Sequence, residues 1–289
     1  MGEKKAYPTY FIFGALALYS LLFVLPGVLG ISYSFTDWSV YSDELHFVGL
    51  DNFKKAFSAD EYYASYLGNT ILFTFVTTVA KNALGLLFAV LLTKKVKMLN
   101  FHRAVIYMPA VLSALVVGMI FKSILNPSIG LLNSFLGIFG ATGLNWLTDP
   151  KTALWSIMMV DTWKGMGYIM TIFIAGIMSI SPTYFEAAEI DGASPFQKFR
   201  SITLPLLAPT ITVTTVMNVL YGLKVFDMVY ALTNGGPGYA TEVLYTSVYK
   251  EFGRGNYAMG TTLASIMFVF MGFVGYFMIR KMTQNEVEE

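Results

Sequence analysis

Asp161 and Lys164 lie three residues apart in a stretch otherwise dominated by apolar side chains. That spacing places them on one helical face, where carboxylate and ammonium can pair with each other. Charges inside a membrane are costly and usually face a cavity or a partner, so the same two residues are candidates for lining a polar path. Trp163 and Tyr168 flank them. Aromatic faces stack on the C–H faces of a sugar, and carboxylates and amides hydrogen-bond its hydroxyls; near a membrane edge, however, Trp and Tyr also serve as belt residues. Farther on, Asn218, Tyr221, Lys224 and Asp227 recur every three residues. They form a drifting polar stripe that is either helix-packing glue or pathway lining. Lys81, Asn82 and Lys122 read as snorkelling side chains or contacts to a partner helix.

Other chemistry is poorly supported. With no cysteine there is no thiolate nucleophile, disulfide frame or Cys-based zinc site, and the only imidazoles, His46 and His102, are far apart. No Gly-x-x-x-x-Gly-Lys-Ser/Thr run cradles a phosphate, and no His-Glu-x-x-His or Gly-x-Gly-Asp motif is present. ATP, if used, is expected to be hydrolysed on another chain. A net charge of +1 gives no electrostatic footprint for nucleic acid.

The elements that must position these residues are membrane helices. Of the 289 residues, 55% are hydrophobic and only 13% charged, against about 25% charged in an ordinary soluble domain. A membrane-crossing helix needs about 20 mostly apolar residues. Six stretches qualify, roughly 10–34, 67–93, 104–125, 152–180, 203–222 and 257–279. The first is longer than the core of a signal peptide, lacks a small-residue cleavage site after it, and reads as a retained helix. The fold class expected is an all-α membrane protein with six spans in a single domain, 1–289.

Cations set the orientation. Lys4, Lys5, Lys94, Lys95, Lys97, Arg103, Lys198, Arg200, Arg280 and Lys281 fall on one side, which places both termini in the cytoplasm. The first outer loop carries Asp37, Asp43, Glu44, Asp51, Asp60 and Glu61.

The cytoplasmic segment 181–205 has its own grammar. Ser181 is placed to cap a helix whose first position is Pro182, and Gly192 to end it in a left-handed cap. Ser194, with Pro195 next and Gln197 three residues on, has capping-box spacing. The expected shape is a short helix, a turn and a second short helix leading into the fifth span. Ala187 and Ala188 leave one face low enough for another protein to approach, and Glu186, Glu189 and Asp191 supply charges. An interfacial helix lying flat on the membrane is the plainer alternative.

Glu186-Ala187-Ala188, three residues, Gly192, nine residues, Ile202, one residue, Leu204-Pro205 resembles the EAA loop of permease subunits of binding-protein-dependent ABC importers. Asp191-Gly192-Ala193 and Phe199 extend the match. The resemblance implies that this loop is a coupling helix docking in a groove of a separate cytoplasmic ATPase, with Glu186, Ala187, Ala188, Asp191, Gly192, Leu204 and Pro205 inheriting that role. A second stretch, Leu232-Thr233-Asn234-Gly235-Gly236-Pro237, then Ala240-Thr241, Tyr249 and Phe252, resembles the last outer loop of carbohydrate-importer permeases, the first permease of maltose-type systems in particular. Ser34-Phe35-Thr36-Asp37-Trp38 and Gly49-Leu50-Asp51-Asn52-Phe53 are similar to that branch too. Residues alone make Gly236-Pro237 a tight turn, or part of a plain hairpin. Unlike some maltose-type permeases, the chain shows no large periplasmic insertion and no extra N-terminal helices.

The resemblance implies a second, similar permease subunit, two ABC ATPase subunits carrying ATP and Mg, and an extracytoplasmic solute-binding protein facing Asn234, Gly235, Gly236 and Pro237. The chain itself is expected to bind no cofactor or metal and to sit in the lipid bilayer of the cell membrane. Its solute is expected to be a sugar, an oligosaccharide or glycerol phosphate. The rival reading is a self-contained secondary carrier or channel, which would need an ion-coupling carboxylate; Asp161 is the candidate.

Overall fold

The computed structural model describes residues 10–58, 62–93 and 97–283. Lys4, Lys5, Asp60, Glu61, Lys94 and Lys95, used above for orientation, lie outside the described residues. The helices are α1 Tyr10–Tyr19, which passes through a π-helical turn at Ser20–Val24 into α2 Leu25–Tyr33, then α3 Asp51–Ala56, α4 Tyr63–Leu92, α5 Leu99–Val111 and α6 Ala114–Ile124. There follow α7 Leu131–Ile138, α8 Ala153–Ser179, α9 Pro182–Ile190, α10 Pro195–Lys198, a second π turn at Phe199–Thr203, α11 Leu204–Leu206 and α12 Ala208–Leu223. The last three are α13 Asp227–Leu232, α14 Leu244–Gly253 and α15 Tyr257–Thr283.

Among the described residues, three helices are long and apolar enough to cross a membrane: Ile12–Tyr33, Tyr63–Leu92 and Tyr257–Lys281. Three bent pairs bring the number of spans up to six: α5 with α6, α8 with α9, and the Pro195–Leu206 segment with α12. The fold is thus all-helical, with six spans only if each bent pair counts as one.

The expected third span, 104–125, is not a single rod. Its two halves meet at 99° across Leu112 and Ser113, both in extended conformation. Pro109 sits inside the last turn of α5 and leaves one ladder bond unmade there, and each half packs on a different helix. Gly167 of α8 lets the Ile106 carbonyl of α5 approach so closely that a methyl group would collide with it. Gly118 of α6 similarly admits Ala231 of α13. In a membrane, where burial gains little over lipid, such small-residue contacts are what hold helices together. The fifth span also differs: α12 begins at Ala208, after a 65° bend, with Pro209 in its first turn.

The chain divides into two compact units. In the first, up to Ala64 together with Ser247–Val269, the Asn52 amide donates to the Ser34 and Thr36 carbonyls at 3.0 and 2.7 Å. Thr262 donates to the same Ser34 carbonyl at 3.1 Å, and the Trp38 ring lies 4.2 Å from Tyr33 and 4.7 Å from Tyr257. The Ser34–Trp38 stretch is therefore a fastening point.

Among the described residues of the second unit, two apolar clusters are strung along α8. One gathers Leu154, Ile157, Met158 and Val160 with Phe73 of α4, Val117 of α6 and Met228, Val229 and Leu232 of α13. The other gathers Ile169, Met170, Phe173 and Ile174 with Ala89 and Leu92 of α4. Between them, α8 carries Asp161, Lys164 and Gly165.

Candidate functional site

The interval of α8 between the two clusters opens onto a cavity of about 420 Å³. Lys81, Tyr107, Asp161, Lys164, Gly165, Tyr168, Asn218 and Tyr221 line it. Of the six residues proposed from sequence for a path, Asp161, Lys164, Asn218 and Tyr221 come together here, with Tyr168 beside them. Trp163 does not join them. It packs against the first apolar cluster, its ring 5.1 Å from that of Phe121. Asp227 does not line the cavity either. The stripe ends because α12 stops at Leu223 and Asp227 opens a new helix.

The expected pairing of Asp161 with Lys164 is overturned. Asp161 Oδ2 lies 2.6 Å from Lys81 Nζ, and both side chains are almost fully buried. The Tyr221 hydroxyl donates to Asp161 Oδ1 at 2.7 Å, and the ammonium sits 4.3 Å from the centre of the Tyr221 ring. A carboxylate buried this deeply needs a cation and a donor, and α4 and α12 supply both from fixed helical positions. Of the two readings for Lys81, the contact to a partner helix is the one that forms: it does not snorkel but pairs with α8. Its stem passes over Gly165, where a Cβ would stand 2.7 Å from Lys81 Cε.

Amides add a second tie between α4 and α12. Asn218 donates to Asn82 Oδ1 at 3.2 Å, and Asn82 donates to Thr215 Oγ1 at 3.0 Å. Asn218 is thus both packing glue and cavity wall. With the Lys81 and Asp161 charges matched to each other, the wall offers tyrosine rings and hydroxyls, one amide and the Lys164 ammonium, a surface suited to a polyhydroxylated solute. Tyr107, Gly165 and Lys81 were not singled out from sequence for this wall. Only Lys81 gave a signal, a lone cation in the middle of an apolar helix.

The 181–205 segment forms a hook. Gly192 adopts φ +73°, the Ala193 N–H donates to the Ala188 carbonyl at 2.9 Å and the Gly192 N–H to the Glu189 carbonyl at 3.1 Å. That pair of bonds is the Schellman closure of a helix end. The Ser194–Gln197 capping box forms in both directions. Ser181 departs from expectation: its hydroxyl meets Thr183 Oγ1 at 2.9 Å and caps no backbone N–H. Glu189 pairs with Lys198 across the turn at 2.7 Å, and that hydrogen bond and charge hold its carboxyl below the ordinary value. Glu186, Ala187 and Asp191 line the outside of the hook, with Ile190 89% exposed. Leu204 and Pro205 lie in the short helix α11.

The Asn234–Pro237 turn follows α13 directly. Asn234 and Gly235 have φ +50° and +86°, and the Gly236–Pro237 peptide is cis. The buried Thr241 hydroxyl donates to the Gly236 carbonyl at 2.6 Å, and the Asn69 amide of α4 donates to the Ala240 and Glu242 carbonyls at 3.1 and 2.9 Å. The turn joins α13 to α14 and is fastened to α4.

The fold is thus one of helices long enough to span a membrane, several of them broken, around a polar cavity, with a capped hook joining two of them. Residues 81–284 match the model of the family described as binding-protein-dependent transport system inner membrane component, and the chain belongs to that family. It is 35% identical over 256 residues to the trehalose/maltose transport system permease protein MalF of Thermococcus litoralis, covering 86% of this chain and 84% of the other. It is 34% identical over 286 residues to the probable starch degradation products transport system permease protein AmyD of Thermoanaerobacterium thermosulfurigenes, covering 96% and 95%. Among solved structures, a chain of a bacterial ABC transporter that imports the acidic polysaccharide alginate superposes with a TM-score of 0.84 over 96% of both chains at 24% identity, a likeness of fold. The protein is a permease subunit of an ABC importer, a transport component of the inner membrane.

Proposed function

We propose that this permease carries a sugar or oligosaccharide into the cell, with the α8–α12 cavity as part of the path. Two features support the substrate class: the tyrosine, amide and ammonium wall around a matched ion pair, and relatives named for trehalose/maltose and starch degradation products. Glycerol phosphate is the alternative solute that Lys164 would suit.

ATP and Mg are bound and turned over on two separate ABC ATPase subunits, and both termini face the cytoplasm with them. A second, similar permease completes the path. An extracytoplasmic solute-binding protein delivers the sugar to the Asn234–Pro237 side; the alginate transporter has also been solved in complex with its pentasaccharide-bound periplasmic protein. The observation that carries the coupled reading is the closed hook, whose exposed Glu186, Ala187, Ile190 and Asp191 form a compact docking face. Closure of the ATPases would push α9 and switch the path between its two states. The carrier reading loses its ion-coupling group, because Asp161 is already neutralised by Lys81.

The test is sugar-stimulated ATP hydrolysis by the complex assembled with its partner subunits in lipid. Glu186→Lys and Gly192→Pro should assemble yet lose stimulation and uptake, since proline cannot take the positive φ that Gly192 holds. Uptake that persists with no ATPase present would overturn the proposal.

A further inference from the structure

The hook joins two helices that also meet elsewhere. α9 continues from α8 across a 67° bend, and the Pro195–Leu206 arm continues into α12 across a 65° bend. At the cavity, α8 and α12 are bonded to each other through Asp161 and Tyr221. The chain from Asp161 through the hook to Tyr221 is therefore a closed loop of elements; its sides also touch where Gly176 of α8 packs against Thr210 of α12, so the part left unpacked is the hook itself.

At the hook end the two arms meet at the Gly192 turn, which no other segment packs against: nothing lies within 4 Å of the position a Cβ would occupy. The side-chain bond spanning this turn from one arm to the other is Glu189 Oε1 to Lys198 Nζ at 2.7 Å. Lys198 is held for it, only 18% exposed at the end of α10, with its carbonyl accepting from Thr203 Oγ1 at 3.5 Å. Glu189 is 71% exposed, yet its charge is spent inside the hook.

We propose that Glu189 and Lys198 are a positioning strut that makes both arms of the hook move together, so that a push on α9 reaches α8 and α12 at once. This rests on the coupling reading above and changes one part of it. Glu189 is not a docking carboxylate for the ATPase; Glu186 and Asp191 remain the docking charges, beside the apolar contact of Ile190. Without the strut, a force on α9 is spent in rotating the arms about Gly192, and the Asp161–Tyr221 contact is strained from one side only.

The experiment uses the full complex in lipid and compares Glu189→Lys, Lys198→Glu and the double exchange, with Lys198→Arg as the conservative variant and Glu186→Lys as a separate control. The readouts are ATPase subunits retained on purification and sugar uptake per ATP hydrolysed. Each single reversal should keep the ATPase bound and lower uptake per ATP about two- to fivefold, the range expected from losing one partly exposed ion pair. The double exchange and Lys198→Arg should restore it. The strut is overturned if the double exchange stays as poor as Glu189→Lys while Lys198→Glu alone is silent, because Glu189 then contacts the ATPase directly. It is equally overturned if both single reversals keep wild-type coupling. Failure of the coupling reading shows separately, as wild-type uptake per ATP in Glu186→Lys.

Discussion

Lys81 of α4 and Asp161 of α8 form an ion pair at 2.6 Å with both side chains 4% exposed or less. Their partner on α12, Tyr221, donates its hydroxyl to the other carboxylate oxygen at 2.7 Å. Three helices are thereby pinned at one depth, between the two apolar clusters of the second unit. A buried pair of this kind gains little over an apolar pair of equal volume, but removing one partner leaves a charge with no compensation.

Lys81→Met should therefore cost about 3–5 kcal/mol, because the Asp161 carboxylate is left buried and unpaired. Lys81→Met combined with Asp161→Asn should recover most of that loss, since the neutral amide that replaces the carboxylate needs no counter-ion and its oxygen still accepts from Tyr221. Thermal unfolding of the purified complex in detergent, followed for both variants, checks the order. Equal losses in the single and the double variant would refute the pairing.

Glycines at two neighbouring positions of α8 should behave differently. At Gly165 a methyl group meets the Lys81 stem, so Gly165→Ala should displace the ammonium and lower uptake, with a stability cost of about 1–3 kcal/mol. At Gly167 the methyl meets backbone, the Ile106 carbonyl of α5, which cannot swing aside. Gly167→Ala should separate α5 from α8 and reduce the yield of assembled complex. Uptake and assembly measured side by side distinguish the two.

Two aromatic residues of α8 separate path from packing. Tyr168 lines the cavity, whereas Trp163 rests on Phe121. Tyr168→Ala should raise the sugar concentration needed for half-maximal uptake and leave the melting temperature nearly unchanged. Trp163→Ala should do the reverse, losing up to about 3–5 kcal/mol of packing as a large aromatic is truncated. A joint change in both quantities for either variant would contradict the assignment.

Much of this was legible in the sequence because local rules dominate where local chemistry decides. Gly192 takes the left-handed cap and Ser194 the capping box because both depend on residues within one turn. Span lengths follow from apolar run length, so the Ala153–Ser179 helix lies within a residue of the expected 152–180. The break at Leu112–Ser113 was hidden because it depends on α5 and α6 finding different partners, through Gly167 and Gly118, far along the chain. The Asp161 partner was missed for the same reason. Helical spacing favours Lys164, but Lys81 wins because α4 delivers it, already desolvated, to the buried face of α8. Ser181 shows the limit of the local rules themselves: the residue type is right for a cap, but its hydroxyl turns to Thr183.

The Glu189–Lys198 bond also carries a pH dependence whose sign is fixed by chemistry. The Lys198 hydrogen bond, and then its charge, lower the Glu189 pKa below its ordinary 4.5. A carboxyl held low in the folded state contributes stability that is complete above the unfolded pKa and lost as pH falls through the folded one. The closure of the hook should therefore be independent of pH near neutrality and weaken only below about 4.5. Glu186 and Asp191 are the neighbouring carboxyl groups on the same helix end. Hydrogen–deuterium exchange at the Gly192 and Ala193 amides, corrected for the intrinsic rate, reads the closure directly, because these two N–H groups make the Schellman bonds. Wild type should lose protection at these amides as pH falls through that range. Glu189→Gln should show weaker protection already at neutral pH and a flatter profile. A steep acid profile retained in Glu189→Gln would remove Glu189 from the closure of the hook.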